Sequence, residues 1–268
     1  MGKPQVSHAT TESNRGPSSI DFATTTDPRT DPSKDPAVGT VLVSETFASR
    51  QGEGKLTGTD SFFIRTSGCN LRCWFCDTPY ASWEPTGSPT PLADLVTAAV
   101  ESGCSHVVLT GGEPLLPRAA ESLAGALIDA GLHLTIETAG TIDKPLACDL
   151  LSLSPKLANS TPDAAQHPSW NRLHEQRRMP LAIMRKLIDA ALDFQLKFVV
   201  ESESQFDEIQ AITQALAVND QDVFIMPQGV TVADLDSASP WLRPWAQTNG
   251  YQYCDRMQIR WYGNRRGT

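Results

Sequence analysis

The residues whose types and spacing most clearly allow chemistry are Cys69, Cys73 and Cys76, in the order Cys-x3-Cys-x2-Cys. Thiolates this close together can share one metal centre. A structural zinc site takes four protein ligands, and the nearest further candidates, Cys104 and His106, lie well downstream. Three thiolates without a fourth ligand indicate an iron–sulfur cluster with one iron open to a small ligand. A zinc knuckle, or three reduced thiols without metal, is the alternative.

A second candidate segment is Thr110-Gly111-Gly112-Glu113-Pro114, which directly follows a short apolar run typical of a buried strand. The two glycines would let a ligand approach bare backbone, and the carboxylate of Glu113 is suited to binding a cation. A plain tight turn is the alternative interpretation of this segment.

Predicted strands alternate with predicted helices along the chain, which indicates parallel β/α units. Right-handed crossovers close such units toward a barrel, and a single domain of this size favours an open one. The predicted fold class is therefore α/β, a partial β/α barrel of about six parallel strands. Strands are predicted at 41–47, 61–66, 106–110, 133–138, 149–154, 195–200, 222–226 and 257–262. Helices are predicted at 90–103, 117–130, 180–192 and 235–248, with one more that begins at Ser204.

The candidate segments share a position relative to these strands. Ligands of parallel β/α folds gather at the carboxyl ends of the strands. Arg65 lies among apolar residues just before the cysteines, where a guanidinium can anchor an anionic group; a surface residue on the polar face of the strand is the alternative. The polar loop 50–54 either approaches a ligand or is a plain hairpin connection. Polar, glycine-bearing or charged segments follow strand ends at 69–78, 110–114, 137–138, 154–156 and 226–229. The sequence therefore predicts one site at this edge of the sheet.

Composition and charge exclude several classes of function. The 268-residue chain has a net charge of −9 and a pI near 5.0, whereas a protein that binds nucleic acid needs a basic face. No apolar run is long enough to span a membrane, and the N-terminus lacks the apolar segment of a secretory signal. Six cysteines, three of them in one loop, indicate the reducing cytoplasm rather than a disulfide framework.

The segment 1–39 is predicted to be a disordered tail. It is rich in Ser, Thr, Pro and Asp, and large apolar residues are rare in it. Such a segment cannot bury enough apolar surface to offset the conformational entropy lost on ordering. The remaining segment, 40–268, is long enough to form one folded domain.

The cysteine spacing, with Phe75 directly before the last cysteine, resembles that of the radical S-adenosylmethionine superfamily. The segment Gly111-Gly112-Glu113-Pro114 is similar to a second element of the same superfamily. This resemblance implies a 4Fe–4S cluster on the three cysteines, with S-adenosylmethionine bound to the fourth iron. One-electron cleavage of that cofactor gives a 5′-deoxyadenosyl radical that takes hydrogen from the substrate, while the protein positions both partners.

Further segments narrow the resemblance to the 7-carboxy-7-deazaguanine synthase family. They are Gln51-Gly52-Glu53-Gly54, Arg65, Cys76-Asp77-Thr78 and Ser154-Pro155-Lys156. The resemblance implies a carbon–nitrogen lyase that converts 6-carboxy-5,6,7,8-tetrahydropterin to 7-carboxy-7-deazaguanine with loss of ammonia, in queuosine and related 7-deazapurine biosynthesis. It also implies Mg²⁺, a flavodoxin-like electron donor and a homodimer.

The same resemblance implies roles at individual positions. Thr78 would offer its hydroxyl to Mg²⁺, an ion that keeps waters and takes oxygen ligands; a turn-capping hydroxyl is the alternative. Arg65 would pair with a carboxylate of the substrate. The residues implied to contact S-adenosylmethionine are Phe75, Cys76, Asp77, Gly112, Glu113, Ser154, Pro155, Lys156 and Gln228. Those implied to contact the substrate are Arg50, Gln51, Gly52, Arg65 and Thr110.

Two other functions remain as alternatives at this level. A glycyl-radical activase would share the cysteine and Gly-Gly-Glu-Pro elements, but it often carries extra cluster cysteines, which this sequence lacks. A non-enzymatic zinc or iron–sulfur binding module would leave the Gly-Gly-Glu-Pro and Ser-Pro-Lys segments unexplained.

Two regions depart from clear patterns. The basic segment 263–268 follows the last predicted strand, and it is expected either to hold a substrate carboxylate or to cover the mouth of the site. The stretch 157–179 is predicted to be irregular, with His167 and His174 at the surface. The remaining cysteines are predicted to be buried thiols: Cys104, Cys148 and Cys254.

Overall fold

One nine-stranded sheet organises the part of the chain that the structure, a computed structural model, describes, which is residue 2 and residues 39–268. The predicted tail therefore lies almost entirely outside the described residues. In chain order the strands are β1 (Thr40–Arg50), β2 (Asp60–Thr66), β3 (Ser88–Pro91), β4 (His106–Gly111), β5 (His133–Thr138), β6 (Leu150–Leu153), β7 (Phe194–Val200), β8 (Val223–Pro227) and β9 (Gln252–Tyr253).

Across the sheet the order is β3-β1-β2-β4-β5-β6-β7-β8-β9. Every neighbouring pair from β2 to β9 is parallel, whereas β1 is antiparallel to both β2 and β3. The connections explain this difference, because a short loop joins β1 to β2, whereas most parallel neighbours are joined through a helix. The predicted open sheet of parallel β/α units is confirmed, and an antiparallel edge is added to it.

Helices cover this sheet and bury their apolar faces against it. They are α1 (Leu92–Glu101), α2 (Ala120–Asp129), α3 (Pro168–Arg177), α4 (Leu181–Ala190), α5 (Phe206–Leu216), α6 (Val232–Thr248) and α7 (Met257–Tyr262). Leu123 and Leu127 of α2 are fully buried, at the i, i+4 spacing of one helix face. The central strand β4 is buried along most of its length, as expected for a parallel strand that is covered on both faces.

The last regular element, α7, is a helix where a strand was predicted at 257–262. The segment contains six residues, which is fewer than two helical turns, so its apolar pattern fits either periodicity. The strand that pairs with β8 lies just before it, in the two residues of β9. The prediction of a final strand over α7 was therefore wrong.

Two other sequence predictions were also wrong. Thr90 and Pro91 do not begin α1, because both belong to β3 and pair with β1. The stretch 157–179 is not irregular, because it contains all of α3. Pro168 occupies the first turn of that helix, where the missing N–H of proline costs nothing.

The loop between β1 and β2 reaches the opposite end of the described chain. The backbone N–H of Gly54 donates a hydrogen bond to Sγ of Cys254, 2.9 Å away. The backbone N–H of Met257, at the start of α7, donates to the carbonyl oxygen of Gly52 over 2.9 Å. These contacts tie the loop to β9 and α7 and brace one side of the open sheet.

Among the described helices, none combines the length and the apolar character needed to cross a membrane. The longest of them, α6, has 17 residues and contains Pro240 and Pro244 as well as charged side chains. It packs instead against β8 and β9, with Leu235 and Leu242 fully buried.

Candidate active site

A cavity of about 510 Å³ lies at the carboxyl ends of the parallel strands. Side chains from the loop after β1, from the segments after β2, β4, β6 and β8, and from α7 meet there, as the strand pattern predicted. The predicted site residues that line it are Arg50, Gln51, Gly52, Arg65, Cys69, Cys73, Phe75, Cys76, Asp77, Thr78, Thr110, Gly112, Ser154, Lys156 and Gln228.

Two predicted contact residues, Glu113 and Pro155, are buried and do not line the cavity. The Glu113 carboxylate accepts hydrogen bonds from the Thr138 hydroxyl at 2.7 Å and from the backbone N–H groups of Leu115 and Ala139. Burial raises the pKa of Glu113 above its usual value. Glu113 therefore braces the ends of β4 and β5 from behind, and its predicted contact with S-adenosylmethionine stays a prediction.

The loop after β2 carries the three cysteines along one wall of the cavity. Its two ends meet, because the backbone N–H of Gly68 donates to the carbonyl oxygen of Ala81 over 2.9 Å. Within the loop, Sγ of Cys76 lies 3.1 Å from the Ser82 hydroxyl and 3.7 Å from the Thr78 hydroxyl. All six cysteines of the chain are free thiols.

Two thiols of this loop, those of Cys69 and Cys73, have pKa values above the ordinary value of a thiol. Burial, with the nearby charge of Glu113, raises the pKa of the Cys69 thiol to about 12. Burial likewise raises the pKa of Cys73 to about 11. Metal binding here would therefore release protons. Within residues 39–268, no further Cys or His lines this cavity, which fits a cluster on three protein ligands better than a four-ligand zinc site.

Two glycines of the candidate segments, Gly52 and Gly112, make room for neighbouring protein backbone. A Cβ added to Gly52 would lie 2.6 Å from the backbone nitrogen of Gln258. A Cβ added to Gly112 would overlap the carbonyl oxygens of Gly68 and Ala81. Gly52 thus lets the loop after β1 pack against α7, and Gly112 lets the end of β4 pack against the base of the cysteine loop.

His174 is fully buried beneath the cysteine loop, so its predicted place at the surface was wrong. Its Nδ1 accepts a hydrogen bond from the backbone N–H of Arg72 over 3.1 Å, and its Nε2 lies 2.8 Å from the Ser160 hydroxyl. Burial lowers the pKa of His174 to about 4. The neutral ring therefore fixes the backbone between two of the cysteines. His167, in contrast, is exposed as predicted.

In another part of the cavity wall, Glu53 is the centre of a buried network of charges. Its Oε2 accepts from Nζ of Lys197 at 2.5 Å, and its Oε1 accepts from Nε2 of Gln258 at 2.6 Å. Nε of Arg256 lies 3.2 Å from the same Oε1 of Glu53. Nη2 of Arg256 pairs with the carboxylate of Asp77. Burial raises the pKa of Glu53, but the charges of Lys197 and Arg256 outweigh it and hold that pKa well below its usual range.

Arg65 lies in the cavity wall, where the sequence placed it. Its side chain is 15% exposed, and its Nε donates to Oε1 of Glu45 over 2.8 Å. The Glu45 carboxylate also pairs with Arg266 of the basic segment that follows α7. Residues 263–268 line the cavity, and both expectations for this segment stay predictions.

Comparison with known proteins identifies the family. Residues 63–195 match the Radical SAM superfamily. A 7-carboxy-7-deazaguanine synthase of Rhodopirellula baltica is 58% identical over 85% of this chain and 89% of its own length. The chain belongs to the 7-carboxy-7-deazaguanine synthase family. A protein of the same name from Halobacterium salinarum is 44% identical over 81% of this chain and 88% of its own.

The fold agrees with membership of the 7-carboxy-7-deazaguanine synthase family. QueE from Escherichia coli matches 81% of this chain and 93% of its own with a TM-score of 0.59, at 21% sequence identity. At that identity the likeness concerns the fold alone. It supports the partial β/α barrel that carries the cavity.

Sequence reasoning missed several residues of the cavity wall. Lys197 had a detectable signal, because it is the one charged residue within the apolar strand β7, and a buried charge needs a partner. Glu45 and Arg256 carried no comparable signal, since each lies in a mixed polar segment. Charged and polar wall residues without a predicted role include Glu45, Glu53, Tyr80, Glu137, Lys197, Arg256 and Gln258.

Proposed function

We propose that this protein is a carbon–nitrogen lyase that converts 6-carboxy-5,6,7,8-tetrahydropterin to 7-carboxy-7-deazaguanine with loss of ammonia. The observation that carries the proposal is that three free cysteines and the guanidinium of Arg65 line one cavity. The name shared by its relatives in the family supports the reaction. Its product would enter queuosine and related 7-deazapurine biosynthesis.

The residues present fit a 4Fe–4S cluster with S-adenosylmethionine. Cys69, Cys73 and Cys76 would hold the cluster and leave one iron open. When bound, these cofactors supply one-electron cleavage of the sulfonium and so a 5′-deoxyadenosyl radical for hydrogen abstraction. The chain itself positions cofactor and substrate in one cavity.

We assign the wall beside the cysteines to S-adenosylmethionine. Nζ of Lys156 lies 2.8 Å from Oγ of Ser154, so an ammonium group is held in place to meet a carboxylate. Glu113 acts behind this wall through the backbone that it braces, and Pro155 is buried beside Lys156. The residues assigned to contact the cofactor are Phe75, Cys76, Asp77, Gly112, Ser154, Lys156 and Gln228.

We assign the wall formed by Arg65 and the loop after β1 to the pterin. Arg65 offers a guanidinium to the substrate carboxylate, since such pairs are strong and directional. Arg50 lies 4.8 Å from the centre of the Trp261 ring, which holds a second cation at the rim. The amide nitrogen Nε2 of Gln51 donates a hydrogen bond to the hydroxyl oxygen of Ser61 over 2.9 Å. The residues assigned to contact the substrate are Arg50, Gln51, Gly52, Arg65 and Thr110.

Thr78 is assigned to Mg²⁺. It precedes the 3₁₀ turn Pro79–Ala81, but its side chain makes no capping hydrogen bond there, which disfavours the capping alternative. Its hydroxyl points toward Cys76 and lines the cavity. One hydroxyl suffices as a protein ligand only because Mg²⁺ keeps waters and takes oxygen atoms from the substrate.

Thr78→Val should raise the Mg²⁺ concentration needed for half-maximal turnover, because it removes the hydroxyl. Thr78→Ser keeps the hydroxyl and should leave that concentration at the wild-type value.

The remaining assignments rest on the family resemblance and on cysteine usage. We expect a flavodoxin-like protein to supply the electron, because reduction of the cluster needs an external one-electron donor. We also expect a homodimer in the cytoplasm, where free thiols stay reduced.

The deciding experiment uses the full chain, purified without oxygen and reconstituted with iron and sulfide. It is incubated with S-adenosylmethionine, Mg²⁺, dithionite and 6-carboxy-5,6,7,8-tetrahydropterin, and 7-carboxy-7-deazaguanine is measured by mass spectrometry. We expect product from the wild type with about four irons per chain. Cys73→Ala is the matched variant, and it should lose both the product and the cluster absorbance.

The other outcomes separate the alternatives. Release of 5′-deoxyadenosine without 7-carboxy-7-deazaguanine would keep a radical enzyme and reject this substrate. If neither 5′-deoxyadenosine nor 7-carboxy-7-deazaguanine forms and zinc is bound in place of iron, the result would favour a binding module and contradict the proposed function.

A further inference from the structure

Arg65 is held by only one edge of its guanidinium. Its Nε donates to Oε1 of Glu45 over 2.8 Å, and within residues 39–268 neither terminal nitrogen has a hydrogen-bond partner. A guanidinium can bind a carboxylate through two parallel N–H groups. Because Glu45 takes the Nε edge, the end that remains for a ligand is the pair of terminal nitrogens. The orientation of that pair therefore depends on Glu45.

Glu45 itself is fixed by more than Arg65. The two residues are cross-strand partners in the antiparallel pair β1–β2, next to an irregularity in the register. The hydroxyl of Tyr80, which follows the cysteine loop, donates to the same Oε1 over 2.8 Å. Nε of Arg266 donates to Oε2 over 3.0 Å. Both carboxylate oxygens are thus engaged, and the side chain is only 10% exposed.

Arg266 makes further contacts around Glu45. Its Nη2 donates to the carbonyl oxygen of Ser44 over 2.7 Å, and its guanidinium lies 4.4 Å from the centre of the Tyr80 ring. Residues 263–268 form part of the cavity lining. Glu45 consequently joins four parts of the wall: two strands, the segment after the cysteine loop and the C-terminal segment.

Glu45 is charged in this setting. Burial alone would raise the pKa of Glu45. Hydrogen bonds from Arg65 and Tyr80 and the charge of Arg65 lower it by more, so the net pKa lies below the usual value. An ionised carboxylate orients the guanidinium through a charge-assisted hydrogen bond, which is stronger and shorter than a neutral one.

We propose that Glu45 is a positioning residue that makes the cavity selective for carboxylated substrates. It holds Arg65 by Nε so that the two terminal nitrogens face the cavity, and through Arg266 it fixes the C-terminal segment beside that same end. This inference rests on the proposed function, because it takes the partner of Arg65 to be the carboxylate of the pterin. Glu45 would act only through Arg65 and Arg266.

The test measures binding, so that it does not depend on turnover. Dissociation constants of 6-carboxy-5,6,7,8-tetrahydropterin and of tetrahydropterin without the carboxylate are measured by calorimetry. The protein is reconstituted, holds S-adenosylmethionine and receives no reductant. Glu45→Gln keeps the size of the side chain but removes its charge. We expect this variant to raise the dissociation constant of the carboxylated pterin about tenfold, which is the effect of one charge-assisted hydrogen bond. The dissociation constant of the pterin without the carboxylate should stay unchanged.

Two further variants keep the test decisive. Asp189→Asn removes an exposed ion pair with Arg185, far along the chain, and should change neither dissociation constant. Tyr80→Phe removes one hydrogen bond to Glu45 without changing any charge. Tyr80→Phe should also raise the dissociation constant of the carboxylated pterin, by a smaller factor. This variant keeps the inference testable even if Glu45→Gln does not fold.

The outcomes distinguish this inference from the proposed function. A wild-type preference for the carboxylated pterin that survives intact in Glu45→Gln and Tyr80→Phe would overturn the role of Glu45 alone. Equal weakening of both ligands would also overturn it, because it would indicate a general loss of structure. A wild type that binds both pterins equally would instead overturn the proposed contact of Arg65 with the substrate.

Discussion

The two walls of the cavity are built from different kinds of contact. The wall that carries the cysteines is fixed mainly through the backbone of the loop: His174 accepts from a loop N–H, the Arg72 guanidinium donates to two loop carbonyl groups, and Gly112 packs directly on two carbonyl groups. The wall around Glu53 is fixed through charges, with Glu53 shared by Lys197 and Arg256, and an ion pair of Arg256 with Asp77 joins it to the cysteine loop. Backbone contacts and shape therefore dominate in one wall, and electrostatic pairing dominates in the other.

This difference fits what each wall must hold. Metal-binding thiols need a loop that keeps its geometry while they change from protonated to metal-bound, and contacts to the loop backbone hold that geometry in both states. A charged, polar substrate needs fixed charges that are already paired and oriented. The two walls should consequently fail under different perturbations, which the following predictions use.

The largest effect on stability is expected in the charged wall. Glu53→Ala leaves Lys197 and Arg256 buried without their shared carboxylate. Loss of one partner from a buried ion pair costs about 3–5 kcal/mol. Urea unfolding of the reconstituted protein measures this, with the exposed pair of Asp189 and Arg185 as a control, where Asp189→Ala should have no measurable effect. Similar losses of unfolding free energy in Glu53→Ala and Asp189→Ala would contradict the dependence of this wall on buried charge pairs.

The cysteine wall should show its own dependence on pH. The pKa of His174 is about 4 in the folded protein against an ordinary value of 6.5. Because the unfolded chain binds more protons between these values, stability is complete above pH 6.5 and falls as the pH drops toward 4. The loss attributable to His174 is at most about 3 kcal/mol.

The variant His174→Asn isolates this dependence. Asparagine keeps an acceptor for the N–H of Arg72 but does not titrate. Its unfolding free energy, followed from pH 7 to pH 4, should fall less steeply than that of the wild type. Parallel curves for the two proteins would show that His174 is not the titrating group.

A smaller effect is expected where the cysteine wall depends on shape alone. Gly112→Ala forces a methyl group against the carbonyl oxygens of Gly68 and Ala81, and such overpacking costs about 1–3 kcal/mol. Iron bound per chain should fall with it, since the base of the loop moves. Gly125→Ala is the control, because its methyl group meets nothing within 4 Å. Unchanged iron content in Gly112→Ala would argue against shape as the basis of this wall.

The elements that the sequence predicted are those encoded locally. The cysteine spacing and the Gly-Gly-Glu-Pro segment are contiguous, and β/α alternation follows from apolar periodicity. These features sufficed to predict the parallel sheet and its edge with the site. They also placed Arg65, because it directly precedes the cysteines.

What the sequence did not reveal depends on contacts between distant residues. Lys197 and Arg256 lie 144 and 203 positions from Glu53, so no local pattern links them. His174 reads as part of a polar stretch and becomes buried only when α3 packs beneath the cysteine loop. The short helix α7 follows the same logic, because six residues carry too little periodicity to decide between helix and strand.

The contacts of the loop between β1 and β2 also have a consequence for amide hydrogen exchange. The N–H groups of Gly54 and Met257 are bonded across 200 and 205 positions of the chain, to Cys254 and Gly52. Neither amide can exchange with solvent until the loop separates from β9 and α7. Both should therefore exchange together, at a rate set by one local opening rather than by fraying of each element. That shared rate would report how often the cavity opens along this side.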